Sequence, residues 1–366
     1  MEEHHRRRKK ILKLILILVL VVAVVFGGYC LYGLYKIDQL SGMTFEEMLA
    51  FTTKDHKEVV ITVGIIHNGK MTYQVYGENG IIVSPEEHTY EIGSITKTFT
   101  TALLCKAISE GRISLDDTID MYLNLPLKED YPTIRSLVTH TSGYKGYYFE
   151  APMISNFLHK KNDFNGITEE MLQQRLGKIN LNNSENTFKY SNYGMAVLGA
   201  VIEQIYDDDY TTLMNDYILE ELRLTTTRIS DGSGDLKHYW EWTESDAYMP
   251  AGALLSNITD MMQYVQIQMS NELEYLPLAH EALAEVNAST GSYEKIGVRI
   301  DAVGVGWMID HKNNIIWHNG GTGNYNSYIG FEKEKQIGVV ILSNLPPNYR
   351  IPATVMGSEI LTSLQN

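Results

Sequence analysis

Glu91-Ile92-Gly93-Ser94-Ile95-Thr96-Lys97-Thr98-Phe99-Thr100 is the stretch from which the fold can be worked outward. Ser94 and Lys97 stand at the head of an apolar-periodic run, Ile95, Phe99, Ala102, Leu103 and Ile108, that closes on Gly111. This pattern predicts a helix. Residues three apart share one helix face, so the Lys97 amine can reach the Ser94 hydroxyl. A serine is a poor nucleophile until a neighbour takes its proton, and a lysine can do that only where its surroundings lower its pKa. A serine at a helix start also has an ordinary use as an N-cap. Roughly one or two Ser-x-x-Lys spacings are expected by chance in a chain of this size, and three are present. Ser142 to Lys145 sits in a Gly-flanked stretch that reads as a loop, and Ser292 to Lys295 lies in another Gly-flanked polar stretch. Only Ser94 heads a long apolar pattern.

Two further constellations point the same way. Tyr190-Ser191-Asn192 precedes a periodic segment carrying Met195, Leu198, Ile202 and Ile205, which reads as a helix start. Residues two apart in an extended approach point to one side, so Tyr190 and Asn192 can share a cleft. A phenol beside a lysine ammonium is expected to have its pKa pulled down, which suits a general base. His318-Asn319-Gly320-Gly321 ends a strand-like Ile315-Ile316-Trp317. Glycine there permits close backbone approach, so the Gly321 and Ser94 N–H groups could form an oxyanion hole.

Ser94-x-x-Lys97, Tyr190-x-Asn192 and His318-Asn319-Gly320, in that order, resemble the three motifs of the serine hydrolases related to penicillin-binding proteins and class C β-lactamases. The stretches from Glu91, Glu110-Gly111-Arg112, Leu137-Val138-Thr139-His140-Thr141-Ser142-Gly143 and Pro250-Ala251-Gly252 are similar to that family as well, and the likeness runs from about residue 55 onward. The resemblance implies Ser94 as nucleophile, Lys97 and Tyr190 managing its proton, and Asn192 binding the acyl-side amide. His318, Asn319 and Gly320 would line the substrate, with neither metal nor cofactor. His318 and Asn319 stand where many relatives carry the Lys and Thr that help hold a substrate carboxylate, which counts against β-lactam hydrolysis as the main activity. The implied substrates are D-alanyl peptides of the cell wall, with D-alanyl or other esters as the alternative and β-lactams as slow substrates or inhibitors. A non-catalytic wall-binding or sensory protein would have no physical need for Ser94, Lys97 and Tyr190 together.

The N-terminus suggests where this chemistry takes place. Leu14 to Tyr35 is an uncharged, mostly apolar run, long enough at about 1.5 Å per residue to cross a hydrocarbon core of about 30 Å. Arg6, Arg7, Arg8, Lys9, Lys10 and Lys13 precede it, which keeps the short N-terminus cytoplasmic and the remainder outside. The expected divisions are a basic tail over 1–10, a transmembrane anchor over 11–35, a tether over 36–55 and an extracytoplasmic hydrolase domain over 56–366. Net charge is −15 overall, +5 over residues 1–36 and −20 beyond, so the domain would repel nucleic acid. Cys30 lies in the apolar run and leaves Cys105 unpaired beyond it, which excludes an intramolecular disulfide there.

Strand signals recur at both ends of the domain. Val59 to Ile66 and Met71 to Tyr76 flank an Asn68-Gly69 turn, and Val303 to Ile309, Asn314 to Trp317, Tyr325 to Phe331 and Ile337 to Leu342 follow late in the chain. Helices are expected over Met43 to Phe51 and Ala353 to Leu364. The pattern is α+β, an α/β sandwich: an antiparallel sheet built from N- and C-terminal strands, flanked by helices, with a large mostly helical insertion. Asp231 begins like a calcium loop, but Leu236 replaces its turn glycine and Trp242 its closing acid. There is no Gly-x-Ser-x-Gly elbow, and the histidines lack zinc spacing.

Overall fold

In the computed structural model, residues 38–128, 130–181 and 187–365 are described. The transmembrane helix and basic tail expected at the N-terminus lie outside them. Among the described residues no helix is long and apolar enough to cross a membrane.

Asn68 and Gly69, both at positive φ, join β1 (Ile61–His67) to β2 (Lys70–Tyr76) in a two-residue hairpin, as their left-handed preference dictates. β3 (Tyr90–Glu91), β4 (Arg228–Ile229) and β5 (Leu254–Ser256) pair in the order β3-β5-β4 as a small second sheet. This sheet was not expected, because segments of two or three residues carry no readable alternation. β6 (Ala284–Glu285), β7 (Ala302–Val303), β8 (Met308–Asp310), β9 (Ile315–Gly321), β10 (Asn326–Glu332) and β11 (Ile337–Ser343) complete the main sheet. Its order is β2-β1-β11-β10-β9-β8-β7-β6.

The expected antiparallel sheet of N- and C-terminal strands is present, closed by Ile61 of β1 opposite Ser343 of β11. Two boundaries differ from expectation. Val303 to Ile309 is not one strand but two, β7 and β8, which fold back on each other around a turn where Gly306 takes φ +77°. His318 to Gly321 does not follow β9 but forms its second half, because each residue has a partner on β10. Pairing across the sheet overrides the turn-like composition of that segment.

β11 is buried along its whole length. Val339 and Ile341 face one core with Ile360 and Leu361, while Val340 and Leu342 face the other with Met262 and Val265. Burial on both faces explains why its sequence is continuously apolar and not alternating. Six helices matter to the site: α1 (Phe45–Thr53), α2 (Thr96–Ser109), α3 (Pro152–His159), α4 (Asn192–Tyr206), α5 (Ile258–Met269) and α6 (Ala353–Gln365). α6 covers one face of the sheet on β10 and β11, and α5 covers the other on β11 and β1. α2 is buried on nearly every side, at the seam between sheet and helical insertion.

Candidate active site

The chain leaves β3 at Glu91 and enters a single 3₁₀ turn, Gly93–Ile95, before α2 begins at Thr96. Ser94 therefore precedes the α-helix, and neither the turn nor the helix uses a side-chain cap. Its hydroxyl is free of the ordinary N-cap duty. Lys97 lies one turn on, fully buried, with Nζ 2.9 Å from Ser94 Oγ and 2.5 Å from the Ala251 carbonyl oxygen. Among the described residues no carboxylate forms an ion pair with it. Burial holds the Lys97 amine well below the usual lysine range, because a desolvated ammonium without a counter-charge is costly. A neutral amine can donate to Ala251 and accept the Ser94 proton.

Ser191 caps α4. Its Oγ accepts the Gly194 N–H at 2.8 Å and donates to the Lys145 carbonyl at 2.7 Å, which fixes Tyr190 just before the helix and Asn192 at its first position. The Tyr190 ring lies 5.0 Å from Lys97 Nζ. The expectation of a lowered Tyr190 pKa is corrected here. Burial pushes the phenol up, with a hydrogen bond to Ser94 opposing only in part. The expectation weighed only the charge of the lysine, whereas burial of the phenol itself is the larger effect. Tyr190 remains a proton donor. Asn192 Oδ1 is buried without a partner among the described residues, a cost that a substrate N–H could relieve.

On β9 the side chains alternate. His318 is fully buried and turned toward Tyr190, their rings 6.1 Å apart, while Asn319 is exposed on the opposite face. Its Nδ1 stands 2.7 Å from the Asn319 carbonyl, so that nitrogen carries the proton and Nε2 is a bare acceptor. Burial, with Lys97 nearby, lowers its pKa to about 3. The imidazole is neutral, where a relative's lysine would be a cation.

Close backbone approach places the strand against the nucleophile turn. A Cβ on Gly93 would stand 2.6 Å from Gly321 N, and one on Gly320 would stand 1.9 Å from the Ile92 carbonyl oxygen; only glycine fits at both. The Thr322 N–H donates to Tyr325 O on the β10 side. By the alternation of an antiparallel ladder, Gly320 turns its amide the same way and Gly321 turns its amide to the open edge. That edge faces Ser94. The Ser94 and Gly321 amides are thus available for an oxyanion.

Three supports carried no role in the sequence reading. Ala251 supplies a backbone carbonyl, which no side-chain motif could reveal. His140, in a left-handed conformation at φ +57°, accepts the Ser191 N–H at Nδ1 and packs its ring 4.6 Å from that of Tyr190. Such a strained non-glycine residue is common at functional sites, and the Thr-His-Thr-Ser-Gly stretch was its available signal. Glu91, 3% exposed, accepts the Trp240 N–H on one oxygen and the Thr322 hydroxyl, at 2.5 Å, on the other. It ties the nucleophile turn to the end of β9. Burial raises its pKa to about 7 against these two hydrogen bonds.

A groove of about 570 Å³ is lined by Asn192, Gly321 and Thr322 together with Tyr147, Phe149, Phe157 and Trp240. A depression of similar size between Met71 and Leu273 holds none of the expected site residues. Among the described residues no cluster of His, Cys, Asp or Glu could hold a metal ion.

Residues 44–354 match the family model described as Beta-lactamase. Protein flp of Staphylococcus aureus (strain MRSA252) is 23% identical over 78% of this chain, which spans 59% of that relative's length. The solved structure of the β-lactamase/D-alanine carboxypeptidase from Yersinia pestis, complexed with citrate, superposes with a TM-score of 0.67 at 19% identity, covering 92% of this chain and 99% of that one. The octameric penicillin-binding protein homologue from Pyrococcus abyssi superposes at 0.66 and 24% identity, covering 84% and 73%. At these identities the two structures share the fold.

Proposed function

The chain belongs to the β-lactamase family of serine hydrolases, and from that premise we propose that it is a membrane-anchored, extracytoplasmic hydrolase acting through an acyl-enzyme on D-alanyl peptides or esters. The observation that carries the chemistry is Ser94 Oγ 2.9 Å from a buried Lys97 amine whose pKa burial lowers. Lys97 takes the proton as Ser94 attacks the carbonyl carbon. The Ser94 and Gly321 amides hold the oxygen that becomes negative. Tyr190, kept protonated by burial, hydrogen-bonds the leaving group as Lys97 returns the proton. Water then takes the place of Ser94 and releases the acid. The anchor rests on the apolar run from Leu14 to Tyr35 and its basic flank.

Between the two substrate classes, an ester is favoured over a peptide ending in a free carboxylate. A neutral His318 offers no charge to hold such a carboxylate. The full chain incubated with a fluorescent penicillin, a D-Ala-D-Ala peptide and a short-chain ester, followed by intact mass, tests this. Ester turnover with a transient adduct on Ser94 is the expected result. Peptide turnover with a stable penicillin adduct would make it a carboxypeptidase, and no labelling by a fluorophosphonate would make it a non-catalytic relative.

A further inference from the structure

The short helix Ile134–Val138 ends in a pair of hydrogen bonds that ordinarily closes on a glycine: the His140 N–H donates to the Leu137 carbonyl and the Thr141 N–H to the Ser136 carbonyl. His140 takes the left-handed position of this turn, at φ +57°, where a glycine would sit without strain. What the imidazole does lies at Tyr190. Residues 187–190 belong to no helix or strand, and the backbone N–H groups on either side of Tyr190 both end on His140. The Lys189 N–H donates to its carbonyl oxygen at 2.8 Å, and the Ser191 N–H donates to its Nδ1 at 3.3 Å. The ring also packs against Phe188 and Tyr190, with centroids 6.1 and 4.6 Å away. His140 and Ser191 are both buried, so solvent does not share in these bonds. Burial, with Lys97 nearby, holds the imidazole well below the usual histidine range, which keeps it neutral and Nδ1 an acceptor. Further on, Ser191 Oγ and the Tyr193 N–H donate to the Lys145 and Gly146 carbonyls. Residues 140–146 thus brace the approach to α4, and His140 is the part of the brace that meets Tyr190.

We propose that His140 is a positioning residue for Tyr190: by fixing the peptide groups on both sides of it, His140 aims the phenol at the oxygen of the leaving group. This role rests on the acyl-enzyme reading above. As the tetrahedral carbon expels the ester oxygen, the C–O bond breaks and that oxygen takes the proton Lys97 received from Ser94, steadied by the Tyr190 O–H. An alkoxide needs this proton as it departs, whereas p-nitrophenolate is stable as an anion and leaves without it. Displacement of Tyr190 is therefore felt by the first kind of leaving group, while loss of folded protein is felt by both.

The test measures kcat/KM on the full chain with the ethyl and p-nitrophenyl esters of N-acetyl-D-alanine, per Ser94 labelled by a fluorophosphonate. His140→Gly removes the imidazole and suits the left-handed turn, so the helix end is kept. It should lower ethyl ester turnover about tenfold to a hundredfold and p-nitrophenyl ester turnover by no more than about threefold. His140→Asn tolerates the same φ and offers an amide oxygen in place of Nδ1, and should bring ethyl ester turnover back to within about threefold of the unaltered protein. Tyr190→Phe should show the same selective loss, and adding His140→Gly to it should change little, because both act through one group. Equal losses on the two esters, or no loss on either, with the unaltered protein active, overturn the role of His140 alone. Absence of turnover and of Ser94 labelling in the unaltered protein overturns the hydrolase reading and the role of His140 with it.

Discussion

The two walls of the active site are built by opposite means. On the nucleophile side, Lys97 and His318 are wholly buried and Ser94, Lys97 and Ala251 are joined by short hydrogen bonds. On the groove side, Phe149 and Phe157 stand mostly in solvent on α3 and the loop before it. The buried wall sets protonation states by desolvation, which requires every neighbour to be in place. The open wall contributes apolar area, which requires only that something cover it. Chemistry is therefore sensitive to single atoms, and substrate preference is spread over side chains that can be exchanged with little cost to the fold.

This contrast orders the effects of substitution. Lys97→Ala removes the base and should lower the acylation rate by about 10²–10⁴-fold, read with a short ester. In the unaltered protein that rate should fall as acid protonates Lys97, with no imidazole inflection near neutrality, because burial lowers the His318 pKa to about 3. Gly93→Ala puts a methyl group 2.6 Å from Gly321 N and displaces one oxyanion donor. A loss of about 10²–10³-fold in kcat with little change in KM is expected, and circular dichroism checks that the fold survives.

Glu91→Gln probes the link between the two walls. The carboxyl is held near 7 by burial, so folding takes up a proton between the ordinary carboxylate pKa and 7. Its contribution to stability is complete at low pH and is lost as pH rises through about 7. Thermal unfolding followed from pH 5 to 8 should show that decline, and the Gln variant should lack it. Equal slopes for the two proteins would remove Glu91 from the account. The smallest effect belongs to the open wall. Phe157→Ser alone should move Tm by no more than a degree or two, measured by differential scanning fluorimetry. A large loss of stability would mean that the groove wall is core.

The same division decides what could be read from sequence. The Ser94–Lys97 spacing, the helix start after Tyr190 and the hairpin at Asn68-Gly69 are local patterns, and local geometry placed them. β9 was read short because His318, Asn319, Gly320 and Gly321 have poor strand propensity, and only the partner strand β10 holds them extended. The Tyr190 pKa was misjudged because its direction is set by burial of the phenol, which distant parts of the chain supply. Ala251 and Glu91 act through a carbonyl and a buried cross-link, which no spacing announces. Tyr147, Phe149, Phe157 and Trp240 are far apart or irregularly spaced in sequence, and only the fold gathers them at one groove.

β1 and β11 are neighbours in the main sheet, yet they are made at opposite ends of synthesis. Ile61 meets Ser343 only after nearly the whole domain has emerged. Until then the β1 edge of the hairpin is open with no core beneath it, and such a contact pays its loop-closure entropy late. Folding of this domain is therefore expected to be slow and post-translational, and a chain stopped before Ile337 would keep Ser94 and Lys97 in sequence but expose a bare strand edge prone to aggregation.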